Sequence, residues 1–133
     1  LNQKYQSALE RNITMLLSVN DLSGLTMREE DLVTLLVNLL DNAVEACEKL
    51  EENRVIRFKM VLEEGELILS VRNPVAVPVI IDGKRIVTTK KDGGNHGIGL
   101  LNVNGVIERS GGTSALRCED GWFCFSAMIP AAE

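Results

Sequence analysis

The chain has 133 residues, of which 45% are hydrophobic and 25% charged, a balance typical of one globular domain. No apolar run reaches the roughly 20 residues of a membrane-spanning helix, and no charged leader precedes an apolar segment as in a secretion signal. The net charge of −5 disfavours nucleic acid or anionic lipid as a general partner. The three cysteines contain no close pair, so they indicate neither a disulfide framework nor a metal site, and a reducing compartment fits them best.

The N-terminal part of the chain predicts a helix, a strand and a second, longer helix. Residues 1–10 have a helical composition, and residues 12–19 (NITMLLSV) have the composition of a strand. Thr26 and Glu29 show the capping-box spacing, in which Ser or Thr is followed three residues later by Glu. We therefore predict a long helix that begins after this box and continues to about Glu52.

Two strand pairs follow, each joined by a turn that contains glycine. Residues 54–62 and 66–72 predict the first hairpin, with a Glu-Glu-Gly turn. Residues 113–118 and 122–129 predict the second, across an Asp-Gly sequence that favours tight hairpin turns. Adjacent paired strands indicate a mainly antiparallel or mixed sheet.

A long loop and a short helix separate the two hairpins. Residues 74–96 contain two prolines and three glycines, and a loop of that length is usually a functional lid or disordered. A helix from about Gly97 to Arg109 should follow, ended by Gly111 and Gly112. The order of elements predicts a single α+β domain over residues 1–133. Its architecture is a two-layer α/β sandwich with a mixed, mostly antiparallel sheet, helices on one face and a lid over residues 74–96.

The long predicted helix carries a narrow polar stripe on an otherwise apolar body. Asn38 and Asn42 lie on this stripe four residues apart, so their side chains are neighbours. A solvated face is the simpler interpretation of such a stripe. Asparagine is a mediocre helix former, however, and its carbonyl oxygen and amide suit a hard cation and phosphate groups. The pair therefore indicates a site in a cleft.

The second predicted helix opens with a glycine-rich sequence, HGIGL over residues 96–100. Glycine lets the backbone approach a ligand closely, and the first N–H groups of a helix point at anions. Hydroxyl and ammonium groups precede it at residues 88–91 (TTKK), so a triphosphate is a reasonable ligand. Neither a Walker loop nor a strand followed by GxGxxG is present. His96 is the only histidine, and an isolated histidine is more often a packing residue than a catalyst.

Together these segments resemble the GHKL superfamily, whose nucleotide-binding domain has the Bergerat fold. Residues 35–46 (LLVNLLDNAVEA) resemble its N box, and residues 88–90 with 96–100 resemble the end of its ATP lid and its second glycine box. The likeness covers nearly the whole chain, from about residue 10 to Pro130. Within the superfamily it is greatest to sensor kinases that include peptide quorum-sensing receptors.

The resemblance implies Mg²⁺ and ATP as cofactors and assigns the site residues. Asn42 takes the position that coordinates Mg²⁺, and Asn38 takes the position of a glutamate base in hydrolytic members. Lys90 would balance phosphate charge, and His96 would border the lid near the phosphates. The backbone under the triphosphate would come from the glycine-box residues Gly97, Ile98, Gly99 and Leu100.

One departure concerns the adenine site. Typical members carry DxGxG after the third strand, and its Asp accepts a hydrogen bond from the adenine amino group. This chain has Val71-Arg72-Asn73-Pro74-Val75 there. Asn73 can accept through its carbonyl oxygen, although a neutral acceptor is weaker than a charged one.

The implied function is phosphoryl transfer from Mg-ATP to a histidine on an upstream dimerisation domain, since the only histidine here lies in the lid. Residues 1–10 would be the tail of that domain. The parent would be a homodimeric, membrane-anchored bacterial sensor kinase that signals to a response regulator, with this domain in the cytoplasm. Three alternatives stay open: a degenerate nucleotide-binding regulatory module, a hydrolytic GHKL ATPase, and a sandwich domain that binds no nucleotide.

Overall fold

The computed structural model describes residues 2–76, 81–82, 85–86 and 95–130. These residues form three helices, α1 (Asn2–Glu10), α2 (Glu29–Glu48) and α3 (Asn95–Arg109). They also form seven strands, β1 (Thr14–Val19), β2 (Val55–Glu63), β3 (Glu66–Pro74), β4 (Ile81–Asp82), β5 (Arg85–Ile86), β6 (Thr113–Glu119) and β7 (Trp122–Pro130). None of the described helices is long and apolar enough to cross a membrane.

Five of the strands make one mixed sheet in the order β1-β2-β3-β7-β6. β1 and β2 are parallel, because the connection between them is the α2 crossover, and the other neighbouring pairs are antiparallel. The α+β sandwich with a mostly antiparallel sheet is therefore confirmed. Inside the predicted lid, β4 and β5 form a separate antiparallel pair that the sequence did not predict.

Both predicted hairpins are present, and both turns have the backbone that their sequences favour. Glu64 and Gly65 have φ of 50° and 81°, and Asp120 and Gly121 have φ of 53° and 80°. Two successive positive φ angles define the turn type whose twist matches that of the flanking strands. Each two-residue turn fixes the register of its strand pair.

The core lies between the helices and one face of the sheet. Alternate residues of the central strands point towards the helices, and these inward side chains are buried: Ile56, Phe58, Met60, Leu67, Leu69, Val71, Phe123, Phe125, Ala127 and Ile129. The apolar face of α2 packs onto them with Leu35, Leu39, Leu40, Ala43, Val44 and Cys47, and α3 adds Val103, Val106 and Ile107. The prediction of helices on one face is confirmed.

The predicted capping box at the start of α2 is wrong. The N-cap residue is Arg28, in an extended conformation and without a side-chain cap hydrogen bond, so Thr26 lies outside the helix. Glu29, Glu30 and Asp31 instead place three carboxylates in the first turn, where the helix dipole favours negative charge.

The end of α2 also differs from the prediction, at Glu48 rather than near Glu52. The Arg54 guanidinium donates to the main-chain oxygens of Leu50 at 2.7 Å and Glu48 at 3.2 Å. A side chain from beyond the helix thus satisfies terminal carbonyls that a further helical turn would otherwise have used.

α3 ends at Arg109, and Gly111 and Gly112 terminate it, as predicted. The Gly112 N–H donates to the Ile107 oxygen at 2.9 Å and the Gly111 N–H to the Glu108 oxygen at 3.1 Å, while Gly111 has φ of 75°. This pair of bonds is a Schellman motif. It turns the chain directly into β6.

Candidate functional site

The candidate site lies where α2 and α3 pack against each other above the sheet. The Arg109 guanidinium at the end of α3 lies 3.5 Å from the Asp31 carboxylate in the first turn of α2. This contact brings the end of α3 beside the start of α2, the helix that carries Asn38 and Asn42.

Asn38 is half-buried on α2, and its side chain is held in place by the helix itself. Its amide nitrogen donates to the main-chain oxygen of Thr34 at 2.8 Å. The Thr34 hydroxyl donates in the same way to the oxygen of Glu30 at 3.0 Å. Because the Asn38 amide is engaged along the helix, its carbonyl oxygen is the group best placed to accept from a ligand.

Asn42 lies one turn further along α2 and is also half-buried. Its neighbour in sequence, Asp41, forms an ion pair with the Lys4 ammonium group of α1. The N-terminal helix is thus fastened beside the residue predicted to hold Mg²⁺. This contact was not predictable from the sequence, because the two residues lie 37 positions apart.

Asn73 lies near the end of β3 on the side that faces the helices. Asn73 is 1% exposed, and among the residues that the structure describes it is the polar residue found buried in the core. Its amide nitrogen donates to the Pro74 oxygen at 3.1 Å, which fixes the orientation of the side chain. Since α2 packs directly on β3, Asn73 and the asparagine pair belong to neighbouring elements.

The glycine-rich segment forms the first turns of α3, which begins at Asn95, two residues earlier than predicted. His96, Gly97, Ile98, Gly99 and Leu100 are therefore helical in their backbone. The first N–H groups of a helix have no partner within it, so they form a site for an anion. The predicted Lys90 lies outside the described residues, as do the side chains of residues 95–101.

One sequence signal is enough to predict the local geometry around Asn38. Thr34 and Asn38 are both residues that hydrogen-bond to a carbonyl one turn earlier when they lie within a helix. Both do so here, in two successive turns. The contact between Asp31 and Arg109 had no such signal, because its partners lie 78 positions apart.

Comparison with known proteins identifies the family. The model of the GHKL domain matches residues 27–130. The chain therefore belongs to the GHKL family, as the N box and glycine box indicated. A search of curated protein sequences finds no significant match.

Solved structures agree with this assignment at the level of the fold. The nucleotide-free catalytic domain of the histidine kinase ThkA matches with a TM-score of 0.74 and 23% identity, covering 97% of this chain and 88% of that one. The histidine kinase AdeS of Acinetobacter baumannii matches with a TM-score of 0.69 and 16% identity, over 97% of this chain and 61% of that one. Full-length ShkA in complex with AMPPNP matches with a TM-score of 0.73 and 21% identity, over 98% of this chain and 29% of that one. The fold is that of histidine kinase catalytic domains.

Proposed function

We propose that this chain binds Mg-ATP and supplies the γ-phosphoryl group that phosphorylates a histidine outside the chain. The observation that carries the proposal is the half-buried asparagine pair of α2, Asn38 and Asn42, on a helix that packs against α3, whose first turns hold the glycine-rich segment. Family membership supports an ATP site, and the structurally similar kinase ShkA was solved in complex with AMPPNP.

The donor set suits a cation that is shared with phosphate. Asn38 and Asn42 offer neutral amide oxygens, and Mg²⁺ usually takes one or two protein oxygens together with water and substrate phosphates. Asn42 would hold the ion, which would neutralise charge on the phosphoryl group during transfer. The first N–H groups of α3 would bind phosphate oxygens. Lys90 and His96 complete the proposed phosphate surroundings.

Asn38 favours transfer over hydrolysis. Hydrolysis of ATP needs a base that accepts a proton from water, and an amide has no such capacity. Phosphoryl transfer to a histidine needs mainly positioning and charge stabilisation, because the acceptor brings its own nucleophile. The hydrogen bond from Asn38 to the Thr34 oxygen holds the side chain for a positioning role.

Asn73 is the proposed adenine contact. Its carbonyl oxygen would accept a hydrogen bond from the adenine amino group on the helix-facing side of the sheet. Because its amide is already bonded to Pro74, the side chain has a fixed orientation in which it accepts rather than donates. Selectivity for adenine over guanine would follow, because guanine presents an oxygen at the same position.

The partners are also part of the proposal. The acceptor histidine would lie on an upstream dimerisation domain, with α1 as the tail of that domain and residues 1–133 as one catalytic unit. The parent would be a homodimer that passes the phosphoryl group to a response regulator. We further propose that this unit is the cytoplasmic domain of a membrane-anchored bacterial sensor kinase. The ion pair between Lys4 and Asp41 supports a physical link between α1 and the nucleotide helix.

Phosphotransfer in trans tests this proposal. The purified chain is mixed with a histidine-bearing dimerisation segment of the parent and with ATP labelled in the γ-phosphate. We expect acid-labile label on the segment and none on the chain itself, with the transfer lost in Asn42→Ala and kept in Gln6→Ala. Gln6→Ala is a matched control, because it removes an amide from an exposed helical position.

One observation favours a second candidate, a nucleotide-binding module without turnover. β3 continues through Asn73 and Pro74, which pair with Phe123 and Trp122 of β7, where typical relatives have glycines. Binding of Mg-ATP without any phosphotransfer would support this candidate. Label that appears on the chain itself would contradict both candidates.

A further inference from the structure

The sheet face opposite the helices carries a row of three arginines. Arg57 of β2, Arg72 of β3 and Arg117 of β6 all point away from the helices and are exposed. Arg57 lies directly opposite Arg72, and Arg72 and Arg117 both lie opposite Cys124 of β7. With strands about 4.8 Å apart, the arginine row (Arg57, Arg72 and Arg117) crosses the sheet at one level, over roughly 15 Å.

The arginine row is not neutralised by an ion pair within the described part of the chain. None of the ion pairs found there involves Arg57, Arg72 or Arg117. Arg72 instead lies over the ring of Trp122, with 5.8 Å between the guanidinium carbon and the ring centroid. Lys59, two residues along β2 from Arg57, adds a fourth exposed cation on the same face.

This arrangement is unfavourable for the isolated domain. Like charges directly opposite each other on neighbouring strands destabilise a sheet. The cost arises in a chain whose net charge is −5, so the local concentration of positive charge is not a consequence of a basic composition. An anionic partner would turn the repulsion between Arg57 and Arg72 into a favourable interaction.

The shape of the charged region limits what that partner is. The outward residues Glu63 and Glu66 lie at one end of the face, and Glu119 and Asp120 lie at the other. The positive charge is therefore a band with carboxylates on both sides. A flat anionic membrane would meet the carboxylates at both ends at once, whereas a narrow acidic segment along the row would stay clear of Glu63 and Glu66.

A shallow depression at one end of the row supports a specific contact. It is lined by Arg72, Arg117, Trp122 and Cys124, together with Glu119 and Asp120. Guanidinium groups bind carboxylates through two parallel hydrogen bonds, and a neighbouring tryptophan ring adds apolar surface. Such a combination is typical of the centre of a protein–protein contact.

We propose that the arginine row is the docking site for an acidic segment of a partner protein. Aspartate or glutamate side chains of that segment would pair with Arg57, Arg72 and Arg117 across the sheet. Because the row lies on the face opposite α2 and α3, docking is independent of nucleotide binding. The nucleotide face and the docking face would let one domain bind ATP and an acidic partner at the same time.

The test uses a fluorescein-labelled hexaglutamate peptide and fluorescence anisotropy at low ionic strength. The peptide is titrated with the wild-type chain and with Arg57→Gln, Arg72→Gln and Arg117→Gln. Arg28→Gln is the matched control, since it removes one exposed positive charge at the start of α2. A hexaglutamine peptide controls for charge, and unlabelled Mg-ATP tests whether the peptide occupies the nucleotide site. Thermal unfolding checks that each variant is folded.

We expect the hexaglutamate peptide to bind and the hexaglutamine peptide not to bind. Each row variant should weaken binding by about two- to fivefold, as the loss of one exposed ion pair implies, whereas Arg28→Gln and Mg-ATP should leave it unchanged. Arg57→Gln and Arg117→Gln keep the test decisive if loss of the Trp122 contact unfolds Arg72→Gln. The proposal is overturned if the peptide does not bind, if Arg28→Gln weakens binding equally, or if Mg-ATP displaces the peptide. It is also overturned if phosphatidylserine vesicles, titrated in the same way, bind the row and the peptide does not.

Discussion

The Lys4 ammonium group of α1 donates a hydrogen bond to the carboxylate of Asp41 on α2, beside Asn42. The two side chains are 31% and 48% exposed, so the pair is partly screened by water. It nevertheless joins the N-terminal helix to the turn that carries the proposed Mg²⁺ ligand. A second contact, between Arg11 and Glu48 at 3.9 Å, joins the segment after α1 to the end of α2.

A double-mutant cycle on Lys4→Gln and Asp41→Asn should give a small favourable coupling energy. Partly exposed ion pairs contribute about 0.2–1 kcal/mol, and salt weakens them. Urea unfolding of the wild type, both single variants and the double variant measures the coupling. A control cycle that combines Asp41→Asn with Lys59→Gln, on the opposite face of the sheet, should give no coupling energy. A Lys4–Asp41 coupling indistinguishable from that of the control would show that the contact does not persist in solution.

Three glycines near the end of the chain should respond differently to replacement by alanine. A Cβ at Gly112 would lie 2.7 Å from the main-chain oxygen of Met128, which cannot move without disturbing β7. Gly111→Ala should be destabilised by about 1 kcal/mol, because its φ of 75° is unfavourable for alanine. In Gly105→Ala the nearest atom is the flexible end of Arg109 at 3.4 Å, so the helix should gain about 0.5–1 kcal/mol.

Thermal unfolding of the three variants checks the direction of each predicted change in stability. We expect Gly112→Ala to be the least stable, Gly111→Ala intermediate and Gly105→Ala more stable than the wild type. A Gly112→Ala protein as stable as the wild type would contradict the close approach of α3's C-terminal turn to β7.

Asn38→Asp should lower the free energy of unfolding by about 1 kcal/mol, because a carboxylate cannot donate to the Thr34 oxygen as the amide does. The substitution hardly changes side-chain volume, so packing is kept. Gln6→Glu makes the same amide-to-acid change at an exposed position and should have little effect. Urea unfolding at neutral pH compares the two. Equal stability of Asn38→Asp and the wild type would argue against the hydrogen bond along α2.

Burial raises the pKa of the Cys47 thiol above its ordinary value of 9.0. Iodoacetamide reacts with the thiolate, so Cys47 should react far more slowly in the folded chain than in urea at the same pH. A raised folded-state pKa also means that the unfolded chain loses this proton first as pH rises. The contribution of Cys47 to stability is therefore complete below the unfolded pKa and declines above it. Peptide mass spectrometry of the labelled chain measures the rate, and fast labelling of the folded chain would contradict the burial.

The elements of the fold were predictable where local chemistry determines them. The two glycine-containing turns, the Schellman glycines and the apolar face of α2 each act through neighbours in sequence, and each was confirmed. The ends of α2 were not predictable in the same way. At its C-terminal end, the oxygens of Glu48 and Leu50 accept hydrogen bonds from Arg54, just before β2, a contact that depends on how the chain returns to the sheet.

The candidate site also combines features that neighbouring residues determine with contacts between distant segments. The asparagine pair and the glycine-rich helix start were identified from spacing and residue type, and their roles in nucleotide binding stay predictions. The Lys4–Asp41 ion pair and the arginine row could not be found from the sequence. Both require the register of distant segments, and the row becomes visible only when β2, β3, β7 and β6 are aligned.

Calorimetric titration of the chain with ATP, in the presence and absence of Mg²⁺, shows whether Asn42 belongs to a Mg-ATP site. We expect saturable, magnesium-dependent binding to the wild type and to Gln6→Ala, and its loss in Asn42→Ala although that variant remains folded. An absence of binding to the wild type at millimolar ATP would rule out the site, and binding that Asn42→Ala leaves unchanged would rule out the role of Asn42.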